Sequence, residues 1–122
     1  FRNTHGWVNA GQAKNIYKEF ARVLKPGGVL GVVQHRADAG TDTHVTAKDG
    51  YVSEEWVKSF ASNAGLVFEE SSEVNANPKD SHDHPKGVWT LPPSLRLGDE
   101  DKEKYLAIGE SDRMTLRFRK PN

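Results

Sequence analysis

The 122-residue chain contains no cysteine. Disulfide scaffolds, thiolate zinc sites, iron–sulfur clusters and cysteine nucleophiles are therefore excluded for it. It also has no excess of either charge sign, since 17 Lys and Arg balance 17 Asp and Glu. A zero balance argues against a surface that holds nucleic acid mainly by neutralising phosphates, or one that lies on an anionic membrane. No apolar run approaches the roughly 18 residues that span a bilayer, and no secretory signal pattern opens the sequence. An initiator methionine is missing too: the sequence opens abruptly on Phe1-Arg2-Asn3-Thr4. That opening sets up the expectation that the chain is a piece of a longer one, although its length suits one domain.

What is present is patterned. Ala10, Ala13, Ile16, Tyr17, Phe20, Val23 and Leu24 recur at spacings of three and four, which predicts an amphipathic helix over 10–24. Lys25-Pro26-Gly27-Gly28 stops it, because Pro26 cannot continue a helix and glycine permits the turn. The unbroken run Val29-Leu30-Gly31-Val32-Val33 reads as a strand buried on both faces. Residues 36–50 are polar and read as a loop. Ser53 is placed to cap a helix whose first turn holds Glu54 and Glu55. Trp56, Val57, Phe60, Ala61 and Ala64 then mark its core face, and Gly65 ends it. Leu66 to Glu70 reads as a second strand.

A long excursion over 71–98 follows, rich in Ser, Asn, Asp, His and Pro. Asp99 is placed to cap a short helix running to about Ile108. Met114, Leu116 and Phe118 alternate with polar residues, as in a strand covered on one side. The order is helix, strand, helix, strand, excursion, strand, so the fold class is α/β, with two main helices.

The segment Tyr17-Lys18-Glu19-Phe20-Ala21-Arg22-Val23-Leu24-Lys25-Pro26-Gly27-Gly28-Val29-Leu30 resembles a stretch of class I S-adenosylmethionine-dependent methyltransferases. There a helix ending in an LKPGG turn feeds the fifth strand of a seven-stranded Rossmann-like sheet. The opening Arg2-Asn3-Thr4-His5-Gly6-Trp7 and the later Asn77-Pro78-Lys79-Asp80 are similar to stretches in a bacterial group of predicted methyltransferases. The resemblance covers essentially the whole chain and implies that 1–122 is the C-terminal half of such a domain. Its strands would be the family's five, seven and six, with the last one antiparallel. Phe1 to Thr4 would be the end of strand four.

The family binds S-adenosylmethionine through a Gly-rich loop after its first strand and an acidic residue after its second. Neither is found here, because Gly27-Gly28 precedes a strand instead of following one. The resemblance therefore implies that S-adenosylmethionine is the cofactor of the full-length parent, with none bound by this chain alone. It implies a small-molecule methyl acceptor and a cytoplasmic location. The expected partner is either the missing N-terminal half or a second copy, since strand 29–33 would lie at a sheet edge, where pairing is a hazard. The competing expectation is a non-enzymatic, self-associating assembly module.

Candidate site residues follow from the same frame. Asn3 would orient the acceptor, His5 would accept a proton and Trp7 would stack on a flat substrate. The plain alternative is a frayed terminus with Trp7 packed on the first helix. His35 and Arg36 close the buried strand at its C-terminal end, where ligands of such sheets bind. His35 would act as a base and Arg36 as an anchor for an acidic group, against the alternative of a solvated strand end. Asn77 and Asp80 belong to an excursion expected to form a substrate wall or lid. Asp80, His82, Asp83 and His84 have metal-ligand composition, but in a Pro-rich loop they read as a polar surface, and no metal is expected. Arg113, Arg117, Arg119 and Lys120 could meet a phosphate, with a solvated or helix-covered strand face as the plainer reading.

Overall fold

The computed structural model describes residues 3–122; the expected strand end at Phe1 and Arg2 lies outside them. The fold is mixed α/β. Helices α1 (Thr4–Asn9) and α2 (Ala13–Val23) lead into strand β1 (Val29–His35). Helix α3 (Thr43–Thr46), a 3-10 turn at Ala47–Asp49 and helix α4 (Glu54–Asn63) precede strand β2 (Val67–Ser72). A second 3-10 turn at Gly87–Thr90 and helix α5 (Lys102–Ile108) precede strand β3 (Arg113–Arg119). Among the described residues no helix is long and apolar enough to cross a membrane.

The three strands form one sheet in the order β1-β3-β2, and β3 runs antiparallel to both neighbours. Val29 faces Arg119 at one end of the β1–β3 ladder and His35 faces Arg113 at the other. In β2 a register shift between Phe68 and Glu70 interrupts the ladder. Arg117 and Arg119 both reach Glu69 there.

The core lies between one face of the sheet and helices α2 and α4. Leu30 and Val32 of β1, and Met114, Leu116 and Phe118 of β3, meet Tyr17, Ala21, Val57, Phe60 and Ala61. Period two in β3 and the three-and-four spacing in α2 and α4 therefore mark the faces that meet. Trp56 packs against this cluster from its edge.

The expectation that 29–33 is buried on both faces is not met. Leu30 and Val32 are buried, whereas Val29 is 43% exposed and Gly31 is exposed. Helices cover only one side of the sheet among the described residues, so alternate members of the Val-rich run face outward. The opening differs as well, because Thr4 begins a helix and not the end of a strand. Its hydroxyl lies 2.9 Å from the buried Tyr17 hydroxyl, which ties α1 to α2. Residues 36–50 are not a plain loop, since α3 and a 3-10 turn occupy part of them. Ser53 caps α4 as expected, accepting a bond from the Trp56 backbone N–H.

Candidate functional site

Two adjoining groups of polar side chains gather where β1 ends and β3 begins. Both are built on the His35–Arg113 end of the ladder. The chain leaving β1 is held by a parallel bridge between Arg36 and Val52, with Ala37 N–H donating to Val52 and Val52 N–H donating to His35. That bridge fixes Tyr51 beside the strand end.

The first group is a small pocket. His35 Nδ1 lies 2.5 Å from Ser111 Oγ. The His5 ring lies 5.7 Å from that of His35 and edge-on to Trp89 at 6.0 Å. Beside them is a cavity of about 180 Å³, lined by His35, Trp89, Pro92, Pro93, Ser111 and Arg113 among others. Pro92-Pro93 is joined by a cis peptide bond.

Gln34, the buried last inward residue of β1, organises His5. Its side-chain oxygen accepts from the His5 backbone N–H at 3.2 Å, and its amide nitrogen donates to the Gly50 carbonyl at 2.9 Å. The His5 ring Nδ1 lies 3.4 Å from the same side-chain oxygen, and an N–H at Nδ1 donates to it and leaves Nε2 as the acceptor. Burial pushes the His5 imidazole below its ordinary value, opposed in part by the Gln34 hydrogen bond. A ring biased toward neutrality, with Nδ1 held by Gln34, presents Nε2 for proton exchange.

The second group is a buried network centred on Asp80, whose side chain is fully buried. Tyr51 Oη donates to its carboxylate at 2.9 Å, and so do the backbone N–H of Asp112 at 2.9 Å and of His82 at 2.9 Å. His84 Nε2 lies 2.8 Å from Asp80 Oδ1. Burial, followed by the Asp80 charge, pushes the Tyr51 phenol well above its ordinary value.

Asp112 is the second carboxylate. Arg36 grips it side-on, with Nε and Nη2 at 3.0 and 2.8 Å. Asn77 N–H donates to it at 2.9 Å, and His82 Nε2 lies 3.1 Å away. Burial works against the charged form of Asp112, but these donors prevail and hold its carboxyl below the ordinary range. Arg36 also reaches Glu73 at 2.9 Å. Its hydrogen bonds to Asp112 and Glu73 raise an already high value further, so the guanidinium is always charged.

The expected site residues thus divide. His5 and His35 come together. Trp7 does not join them; it packs edge-on against Phe20 at 5.5 Å and Tyr17 at 6.2 Å, on the first long helix. Asn3 stands at the start of α1, where its carbonyl accepts from Trp7 N–H and its side chain makes no capping bond. Arg36 is engaged by internal carboxylates. Asn77 and Asp80 tie the excursion down: the Asn77 amide donates to the carbonyls of Ile108 and Glu110, both at 2.7 Å.

Among the described residues no three His, Asp or Glu side chains converge as a metal-ligand set. His82 and His84 point instead at carboxylates of the network. Several site residues are unmarked in the sequence. Gln34 directly follows the apolar run, and Tyr51, Ser111 and Asp112 carry no local signal. Trp89 belongs to Val88-Trp89-Thr90-Leu91, the one apolar knot in the polar excursion, and that knot could have marked it.

A larger cleft of about 540 Å³ lies elsewhere, lined mainly by α2 and α4, with Lys14, Trp56 and Phe60 on its walls. His44 stacks edge-on to Trp56 there at 4.9 Å. It gathers none of the buried titratable groups described above.

The Gly27-Gly28 turn and the acidic residues after the strands are engaged within the fold. Gly27 and Gly28 spend their N–H groups on Lys120 and Lys25 in the turn before β1. The acidic residues that follow strands, Asp38 and Glu73, pair with His82 and Arg36. No family model matches the sequence, and neither curated proteins nor solved structures provide a match.

Proposed function

We propose that this chain is the acceptor-side half of a methyltransferase domain whose methyl donor, S-adenosylmethionine, is bound by residues outside it. The observation that carries the proposal is the sheet. A helix ending in Leu24-Lys25-Pro26-Gly27-Gly28 feeds β1, and the strand order β1-β3-β2 with β3 antiparallel is the order the family uses for its strands five, seven and six. The paired imidazoles lie at the C-terminal end of β1, the end of such sheets where ligands bind. In this reading His5 takes a proton from the nucleophile of a small acceptor, Gln34 holds the His5 ring in place, and Trp89 gives the acceptor a flat wall. Positioning supplies much of the rate in a transfer between two bound molecules.

The test is transfer of a radiolabelled methyl group from S-adenosylmethionine into small-molecule extracts. The 122-residue chain is compared with a version extended upstream of Phe1 to the start of its reading frame. The extended protein is expected to label a small molecule, the short chain to label nothing, and His5→Ala to lower kcat by roughly 100-fold. Micromolar binding of S-adenosylmethionine to the short chain in a calorimeter, or an extended protein that never transfers label, would sink the proposal.

A second reading, a self-associating module, is favoured by one feature: Val29 and Val67 are 43% and 55% exposed at the same end of the sheet. Sedimentation at micromolar concentration decides it. A two-fold dimer supports it and a clean monomer removes it.

A further inference from the structure

Four basic residues lie on or just after β3, and three of them are spoken for. Arg117 reaches Glu70 at 2.6 Å and Glu69 at 2.9 Å. Arg119 is paired with Glu69 and donates to the Gly27 carbonyl at 2.8 Å. Lys120 Nζ donates to the Leu24 carbonyl at 2.8 Å. Arg113 differs. Its side chain is 15% exposed, its nearest carboxylate is the solvent-exposed Glu110 at 3.7 Å, and its Nε is buried with no hydrogen-bond partner among the described residues. A buried donor without a partner is costly, so native structures rarely keep one without a use.

Nε itself is enclosed, so it is the rest of the Arg113 guanidinium that meets the neighbouring cavity. Arg113 faces His35 across the ladder, which puts both side chains on the same side of the sheet. Both line the 180 Å³ pocket together with Trp89, Glu110, Ser111 and the cis Pro92-Pro93 pair, with Glu110 on the solvent-exposed side. Arg36 shows what the Nε–Nη2 edge of a guanidinium binds in this protein, since that edge takes both oxygens of the Asp112 carboxylate. On Arg113 the Nε is enclosed, and the nearest carboxylate is Glu110, 3.7 Å from Nη2. A planar carboxylate also fits the Nη1–Nη2 end of a guanidinium fork. A pocket walled by an indole and two prolines favours a flat apolar body behind it.

We propose that this pocket binds a small organic carboxylate, with Arg113 as its anchor and Ser111 as a second donor. When His35 Nδ1 carries the hydrogen and donates to Ser111 Oγ, the serine hydroxyl is directed to the anion. The inference rests on the site assigned above and names its substrate class: the methyl acceptor is a carboxylate-bearing small molecule, held by its carboxylate at Arg113 beside His35.

The test needs no methyl donor, so it can fail independently of the methyltransferase assignment. The intact chain is titrated with benzoate, with its neutral amide benzamide and with inorganic phosphate, while the indole N–H of Trp89 is followed by NMR. Benzoate is expected to shift the Trp89 signal saturably, with benzamide and phosphate each at least ~10-fold weaker. Arg113→Gln is expected to weaken benzoate by at least ~10-fold. Arg113→Lys, which keeps the charge but loses the fork, should weaken it by an intermediate factor. Should Arg113→Gln fail to fold, the comparison of benzoate with benzamide on the unaltered chain still decides. Equal binding of benzoate and benzamide, tighter binding of phosphate, or no saturable shift at Trp89 would each overturn the assignment.

Discussion

Asp80 concentrates the polar bonding of the buried network. Its fully buried carboxylate accepts from Tyr51, His84 and two backbone N–H groups. An amide in its place would turn one acceptor oxygen into a donor facing donors. Asp80→Asn should therefore destabilise the fold by about 3 kcal/mol, read as a lower midpoint in urea with an unchanged slope. A loss below about 1 kcal/mol would mean that the network can rearrange around a neutral group. His5 gives a second test at this scale. Its value is pushed down first by burial, so its folded form resists protonation. Stability linked to His5 is complete above the unfolded value near 6.5 and declines as pH falls below it. The His5 ring proton followed by NMR should titrate below 6.5; a midpoint at or above that value would contradict the burial argument.

At the scale of elements, the excursion is where sequence and structure part most. Composition marked 71–98 as polar, and polarity alone reads as loop. Its two apolar or cyclic knots, Val88 to Leu91 and Pro92-Pro93, instead fold a turn onto the body of the protein. Gly87 opens that turn with φ of +58°, and a Cβ there would sit 2.3 Å from the Asp49 carbonyl oxygen. Gly87→Ala should thus cost about 2–4 kcal/mol, combining a left-handed backbone with backbone overlap. Gly98 is the control, with φ of +63° and no atom within 4 Å of the point a Cβ would occupy; Gly98→Ala should cost about 1 kcal/mol. Thermal unfolding of the pair checks the difference, and equal losses would show that the turn does not dock tightly.

The elements that periodicity could read were α2, α4 and β3, because each buries a single face at its own period. The extent of burial around β1 was not readable, since an apolar run states that residues are apolar and not how many layers surround them. The site was half legible for a related reason. His5 and His35 announce themselves by type, whereas Gln34 and Ser111 matter only through partners distant in sequence, His5 and His35. Trp7 shows the converse, an aromatic residue beside site residues in sequence that packs into the helical layer.

For the molecule as a whole, the Asp80–Asp112 network is what attaches the excursion to the sheet. Asp112 sits at the mouth of β3 and is gripped by Arg36 from the end of β1, by the Asn77 backbone and by His82 from the excursion. Burial alone would raise the Asp112 carboxyl, but the hydrogen bonds from Arg36, Asn77 and His82 outweigh it and leave it lowered. The sign follows from linkage. With a folded value below the unfolded value of about 3.9, Asp112 contributes stability that is present above that pH and is lost as pH falls through the folded value. Acid should therefore release the excursion and the three strand ends together, as one cooperative loss. Asp112→Asn should lower stability at neutral pH and flatten its dependence on pH below about 4. Urea midpoints measured from neutral pH down into the acid range decide the matter. If the variant and the parent chain lose stability with the same slope below pH of about 4, the acid response resides in other carboxylates and Asp112 does not couple the excursion to the sheet.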